Sequence, residues 1–261
     1  MIAVPSPWEL FDLSGTRAAV VGGTGVLGGR FARCLAAAGA EVIVLGRSIE
    51  RGGAVRDSIQ SSGGHAEFLS VDVSDRSTIE RAAESLEAGG GLDILVNAPG
   101  VNNTTPFAEV TDEAWNRLLD VNLTSVFRTC QLFAPLMHDR SNSASIINIS
   151  SASSGPPLSR VGGYGVAKAG VNNLTQYLAR ELAEDGIRVN AILPGFFPAE
   201  QNRVLLTPER VGAITGHTPL ARLGQPEELD GALLWLASSR ASGFVTGSLV
   251  HVDGGFSAMT I

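Results

Sequence analysis

Tyr164 and Lys168 carry the most specific chemistry in this sequence, standing at i and i+4 in Tyr164-Gly165-Val166-Ala167-Lys168. On a helix that spacing puts both side chains on one face, one turn apart. A phenol titrates near 10 in water, and an adjacent ammonium is expected to lower that value by stabilising phenolate. The pair therefore reads as a proton donor and acceptor. A surface tyrosine with an unrelated lysine is the plainer explanation of any Y-x-x-x-K match. It loses weight here because Lys168 is the single lysine beside 18 arginines, and Tyr164 is one of two tyrosines. Where arginine serves everywhere else, a lone lysine is a candidate for work that needs a compact, titratable ammonium. Thirteen residues before Tyr164, Ser151 closes the apolar run Ile147-Asn148-Ile149-Ser150-Ser151. A hydroxyl at the carboxyl end of a strand faces the crevice where doubly wound sheets bind ligands; without Tyr164 it would read as a turn serine.

A second group of residues suits a phosphate-bearing ligand. The run Val21-Gly22-Gly23-Thr24-Gly25-Val26-Leu27-Gly28-Gly29 follows an apolar strand and leads into a helical pattern. Glycines there let the backbone approach a pyrophosphate, whose charge the helix N-terminus favours. A tight turn is the bland alternative, and the position after the first strand argues against it. The second strand ends in Gly46-Arg47-Ser48. In dinucleotide folds an acid at this point holds the adenosine 2'-hydroxyl, whereas an arginine suits a 2'-phosphate. A solvated arginine at a helix start is the competing reading. Asp72, after the third strand, can accept from an adenine amino group, cap the helix that follows, or do both.

These residues need a scaffold that gathers strand ends. Short β-branched runs at Arg17 to Val21, Glu41 to Leu45, His65 to Val71, Ile94 to Asn97, Ser145 to Ile149, Arg188 to Leu193 and Leu249 to Val252 read as strands. They alternate with helical patterns at Leu27 to Ala38, Ile49 to Ser62, Ser74 to Ala88, Thr111 to His138, Gly162 to Glu184 and Pro226 to Ala237. The alternation predicts an α/β fold, a parallel sheet covered by helices. Strands that are continuous apolar runs fit a sheet buried on both faces. The stretch 195–225 breaks the rhythm with prolines, glycines and Phe196, Phe197, Leu205 and Leu206, and is expected to be a substrate lid.

Composition narrows the class. The chain has 261 residues, 44% of them hydrophobic, with a mean hydropathy of +0.17. That is enough for one well-buried domain spanning 1–261 and marginal for two. A formal charge of -7 disfavours capture of nucleic acid or anionic lipid. The chain has neither a membrane-length apolar run nor a signal-like start. Cys34 and Cys130 are too far apart in the sequence to suggest a disulfide framework or a clustered metal site. A cytoplasmic protein with no metal, no nucleic-acid partner and no membrane partner is the expectation.

Taken together, the glycine-rich turn at 22–28, Asp72-Val73, Asn97-Ala98-Pro99-Gly100, Asn122 in Asp120-Val121-Asn122-Leu123, Ser151, Tyr164 to Lys168, Pro194-Gly195 and the tail from Val245-Thr246-Gly247 to Val252-Asp253-Gly254-Gly255 resemble the short-chain dehydrogenase/reductase family along essentially the whole chain. The resemblance implies a doubly wound parallel seven-stranded sheet of Rossmann type in the order 3-2-1-4-5-6-7, and hydride transfer between a nicotinamide and a secondary alcohol or ketone carbon. It makes Tyr164 the acid/base, Lys168 its pKa modulator and ribose ligand, Ser151 the donor to the carbonyl oxygen, and Asn122 the holder of a proton-relay water. It assigns Gly22, Thr24, Leu27, Gly28, Arg47, Asp72, Val73, Asn97, Tyr164, Lys168, Pro194, Gly195 and Phe197 to the cofactor, with NADP(H) favoured over NAD(H). It also implies a homotetramer packed through 111–138, 162–184 and the last strand. Departures from the pattern fall on the cofactor side: Val21 and Val26 in the glycine-rich turn, Ala98 and Pro99 after the fourth strand, and Ala199 in the lid.

A finer likeness lies in 195–203, His217-Thr218-Pro219 and Met259-Thr260-Ile261, which look like the family's mannonate (fructuronate) and gluconate oxidoreductases. It implies a sugar-acid substrate with Ser153, Phe196 and Arg203 in contact with it. Against it, Gly155-Pro156-Pro157-Leu158 and the lid aromatics suit a bulkier hydrophobic ketone or alcohol. A catalytically idle dinucleotide sensor or scaffold on the same fold is the alternative of another class. The intact set Asn122, Ser151, Tyr164 and Lys168 argues against it.

Overall fold

The computed structural model describes residues 6–137, 144–198 and 207–259. One parallel sheet runs through it, formed by β1 (Arg17–Val21), β2 (Glu41–Gly46), β3 (Ala66–Ser70), β4 (Ile94–Asn97), β5 (Ser145–Ile149), β6 (Arg188–Pro194) and β7 (Leu249–Val252) in the expected order 3-2-1-4-5-6-7. Between the strands lie α2 (Val26–Ala37), α3 (Ile49–Ser61), α4 (Arg76–Ala88), α5 (Asp112–Leu119), α6 (Ser125–Phe133), α7 (Gly162–Glu181), α8 (Pro208–His217) and α9 (Asp230–Ala237); short turns of helix, α1 (Pro7–Leu10) and α10 (Ser239–Ser242), complete the set.

Alternation along each strand divides the core into two layers. Val20, Val42, Val44, Val96, Ile147 and Ile192 pack under α2, α3 and α9 with Phe31, Leu35, Leu233 and Leu236. Ala19, Val21, Ile43, Leu45, Leu95, Ile146 and Val189 face the other side with Ile79, Leu86, Phe133 and Val171. Burying both faces is what requires the continuous apolar strands. The register sets Val21 beside Leu45 and Asn97, and Asn97 beside Asn148, so the strand ends form one edge. Strand order reverses between β1 and β4, and a crevice opens there.

Several helix limits differ from the sequence reading. The expected helix 111–138 is three pieces: α5, a wide π turn at Asp120–Thr124, and α6 with a tight turn at Ala134–Leu136; His138 lies outside the described residues. Asn122 Nδ2 donates to the Leu118 carbonyl at 2.9 Å within the widened turn, and Pro135, lacking an N–H, accompanies the end of α6. Helix α4 starts at Arg76 because Asp75 caps it, accepting from Ser77 N at 2.9 Å. The stretch 195–225 contains α8, capped by Thr207, where the sequence reading placed no helix.

Candidate active site

The carboxyl ends of β1 to β6 border one cleft of about 400 Å³. Its floor is the turn after β1. Gly22 there has φ +76°, and a Cβ on it would meet the Ala98 carbonyl oxygen at 2.5 Å; one on Gly28 would meet the Gly22 carbonyl oxygen at 2.2 Å. The turn thus packs backbone on backbone. Val26, where the family pattern has glycine, is 39% exposed and crowds nothing in this packing. Helix α2 begins at this turn with no side-chain cap and no acid in its first turn, whereas α3, α4 and α5 are capped by Ser48, Asp75 and Thr111. Its N-terminal N–H groups and positive dipole end therefore favour an anion.

One end of the cleft is lined by Thr24, Gly46, Arg47, Arg51, Asp72, Val73 and Ser74. A Cβ on Gly46 would lie 2.6 Å from the Thr24 hydroxyl, so no carboxylate fits at the end of β2 without displacing Thr24. Asp72 borders the cleft while its Oδ1 accepts from Ser74 N at 3.0 Å. Arg51 was missed from the sequence; its signal is its place in the first turn of α3, just after Arg47 and the cap Ser48.

The other end brings Ser151, Tyr164 and Lys168 together. The Ser151 side chain acts on the Tyr164 phenol, favouring its ionised form, and Ser151 Oγ accepts from Ser153 N at 3.0 Å. Lys168 is 2% exposed, and its Nζ donates to the carbonyl oxygens of Ile149 at 2.8 Å and Pro99 at 3.4 Å. It stands 5.7 Å from the centroid of the Tyr164 ring. Burial pulls the ammonium down to about 8. Burial also pushes the Tyr164 phenol up, against the lowering effect of Ser151. This corrects the expectation of a phenol lowered by its neighbour: in the chain alone desolvation is the larger effect, and the opposing one comes from Ser151.

Other expected site residues sit differently. Asn122 is fully buried, and its amide clamps the backbone of Val101, donating to the carbonyl at 2.9 Å and accepting from the N–H at 3.2 Å. Asn97 points into the interior: its Nδ2 donates to Asn148 Oδ1 at 2.9 Å and its Oδ1 accepts from Thr129 at 2.7 Å. It ties β4 to β5 beneath the cleft. Leu27, Ser153, Pro194, Gly195, Phe196 and Phe197 line the cleft. Phe196 packs edge-on against Phe256 at 5.0 Å, and Phe256 against His217 at 4.7 Å. Arg203 and Ala199 lie outside the described residues. Among the described residues, no group of three or more His, Cys, Asp or Glu side chains is placed to hold a metal ion, and no helix is long and apolar enough to cross a membrane.

The family model described as enoyl-(acyl carrier protein) reductase matches residues 25–257. An uncharacterized oxidoreductase of Bacillus subtilis is 39% identical, with 95% of this chain and 96% of that protein covered. The 3beta-hydroxysteroid dehydrogenase 1 of Eggerthella lenta is 38% identical over 94% of each chain. A gluconate 5-dehydrogenase from Burkholderia cenocepacia, solved in complex with NADP and tartrate, superposes with a TM-score of 0.93 at 33% identity, covering 98% of this chain and 100% of that one. A cleft that brings Ser151, Tyr164 and Lys168 together, on a sheet of this order and with relatives of this extent, places the chain in the short-chain dehydrogenase/reductase family of oxidoreductases.

Proposed function

We propose that this protein is an NADP(H)-dependent oxidoreductase acting on a secondary alcohol or ketone carbon of a sugar acid, with NAD(H) as the weaker cofactor. The meeting of Ser151, Tyr164 and Lys168 at one end of the cleft carries this reading. The residues fit a phosphorylated dinucleotide. The uncapped start of α2 suits a pyrophosphate. Gly46 excludes a carboxylate that would repel a 2'-phosphate, and Arg47 and Arg51 supply cations beside it. Asp72 and Val73 would hold the adenine end, and Pro194, Gly195 and Phe197 the nicotinamide end, with Leu27 and Thr24 along the turn.

A nicotinamide dinucleotide held there would supply or accept the hydride. Ser151 and Tyr164 hold the substrate oxygen between their hydroxyls, and Tyr164 gives it a proton during reduction or takes one during oxidation. A phenolate then forms beside the Lys168 ammonium, whose charge offsets the cost that burial puts on it. Asn122 fixes the cleft wall through Val101 and serves the water that returns the proton. Ser153 and Phe196, which line the cleft, would meet the substrate, and Arg203 is proposed to join them. Likeness to the gluconate 5-dehydrogenase supports a sugar acid. A second reading, a bulky hydrophobic alcohol, has the hydroxysteroid relative and the lining aromatics behind it.

We further propose one domain that works in the cytoplasm as a homotetramer packed through α5 to α7 and β7. Phe127 on α6 and Val166 and Tyr177 on α7 are exposed on the single chain, and such apolar surface is favourably covered by another copy. The functional test follows NADPH formation with gluconate, D-mannonate, hydroxysteroids and aryl alcohols, and the reverse reaction with the matching ketones. Turnover of sugar acids that is lost in Tyr164→Phe supports the reading; turnover of apolar alcohols alone transfers it to the second.

A further inference from the structure

The turn that carries Ser151 is fastened to α7 by a directed chain of hydrogen bonds. The Ser151 carbonyl oxygen accepts twice from Ser154, from its N–H at 3.0 Å and its hydroxyl at 2.6 Å. Ser154 Oγ in turn accepts from Asn172 Nδ2 at 2.8 Å. A serine hydroxyl has one proton. With that proton on the Ser151 carbonyl, Ser154 Oγ has only lone pairs to offer, so Asn172 must present its NH2 group. This orientation leaves Asn172 Oδ1 buried with no partner among the described residues. Stranding a buried acceptor is costly, and such local losses are expected where function requires a fixed geometry.

The place of Asn172 gives the geometry its meaning. Tyr164, Lys168 and Asn172 are at i, i+4 and i+8, one row along α7. Two further ties converge on the same seam. Ser150 Oγ donates to the Lys168 carbonyl at 3.1 Å. A Cβ on Gly165 would meet the Ser153 carbonyl oxygen at 2.9 Å, so the turn rests on the helix backbone. Of the ties between α7 and the turn 151–154, the Asn172–Ser154 link reaches farthest along the helix, and through Ser154 it ends on the backbone of Ser151 itself.

We infer that Asn172 and Ser154 are positioning residues that hold the Ser151 hydroxyl against the Tyr164 hydroxyl by locking the turn 151–154 onto α7. The inference rests on the reading of Tyr164 as the acid/base. Ser151 lowers the pKa of the phenol, so a Ser151 that drifts should leave the phenol harder to ionise.

The chain's two tyrosines make this measurable. In a Tyr177→Phe background, near-ultraviolet absorbance titrates Tyr164 alone. Ser154→Ala and Asn172→Ala are each expected to raise its midpoint by about half to one unit and to lower kcat about tenfold, with the Kd for NADPH unchanged. Ser154→Thr, which keeps the hydroxyl, should restore both. Asn172→Ala added to Ser154→Ala should cost nothing more, because both act through one link. An unmoved midpoint, or fully additive losses in the double variant, overturns the inference. If Asn172→Ala does not fold, Ser154→Ala carries the test alone. Tyr164→Phe in the same assay separates the two levels. A dead Tyr164→Phe beside an unmoved Ser154→Ala overturns the coupling alone; a fully active Tyr164→Phe overturns the acid/base reading and the coupling with it.

Discussion

Lys168 Nζ donates to the Ile149 carbonyl oxygen at 2.8 Å, two residues before Ser151 in the chain. The only lysine is therefore anchored to the strand end that presents the serine, in a position 2% exposed. Holding its charge there has a cost, and the pH dependence follows. Its folded value of about 8 is below the ordinary 10.5. The unfolded chain then binds more protons between those values, and stability rises with pH through that window. Below about 8 the cost is present in full; above about 10.5 it is gone. In Lys168→Met it is absent at every pH. The stability of the wild type relative to Lys168→Met should accordingly improve by about 3 kcal/mol on going from neutral pH to beyond the upper value. Cys34 and Cys130, which burial pushes up to about 12, act in the opposite sense but cancel because both proteins contain them. Urea unfolding of the two cofactor-free proteins across that range measures the difference; a constant gap would contradict it.

Lys168→Arg should lose at least about a hundredfold in kcat despite the retained charge. The site receives one compact ammonium between the Ile149 and Pro99 carbonyls, and a planar guanidinium needs more room and aims its donors elsewhere. Steady-state kinetics with either cofactor decides this, and near-normal turnover would remove the special role of the lone lysine.

The cleft end at Gly46 allows a two-sided prediction on cofactor choice. Arg47→Ala and Arg51→Ala should each weaken NADPH binding about tenfold and leave NADH binding nearly unchanged, because only the 2'-phosphate distinguishes the two ligands. The conventional route to NADH preference, Gly46→Asp, should fail by itself, since its Cβ would sit 2.6 Å from the Thr24 hydroxyl. Gly46→Asp with Thr24→Gly should accept NADH in preference to NADPH. Fluorescence titration of both reduced cofactors checks all four proteins; equal losses for NADH and NADPH in Arg51→Ala would show that Arg51 does not meet the phosphate.

What could be read from the residues depended on how local each signal was. The parallel sheet was legible because strands buried on both faces read as apolar runs, its order only through the family resemblance, and Tyr164 with Lys168 because one helix turn sets their spacing. The inward turn of Asn97 was not legible, since its partners Asn148 and Thr129 are 51 and 32 residues away. The break at Asn122 was hidden for the same reason: its amide answers to Val101, 21 residues earlier. The rise in the Tyr164 pKa was missed because an i+4 rule reports neighbours and says nothing of burial. Helix α8 went unseen inside a stretch that prolines and glycines marked as irregular, although Thr207 caps it in the ordinary way.

Substrate choice depends on where a carboxylate finds a cation. Among the described residues that line the cleft, the cations are Arg47 and Arg51 at one end and Lys168 at the other. Lys168 is engaged with the Ile149 and Pro99 carbonyls. A sugar acid held with its reacting carbon at Tyr164 sits at the other end of the cleft from Arg47 and Arg51, which a 2'-phosphate would engage. Its carboxylate then needs a further guanidinium, and Arg203 is the candidate on the chain segment that follows Phe196 and Phe197. Arg203→Ala should accordingly raise KM for gluconate or mannonate by about ten- to a hundredfold, the cost of stranding a carboxylate without its charged partner. Activity on an aryl alcohol should be unchanged, because that ligand has no charge to pair. Parallel KM measurements with both substrate classes decide the matter. Equal KM values for the wild type and Arg203→Ala on a sugar acid would reject the sugar-acid reading and leave a pocket lined by Phe196 and Phe197 to a less polar alcohol.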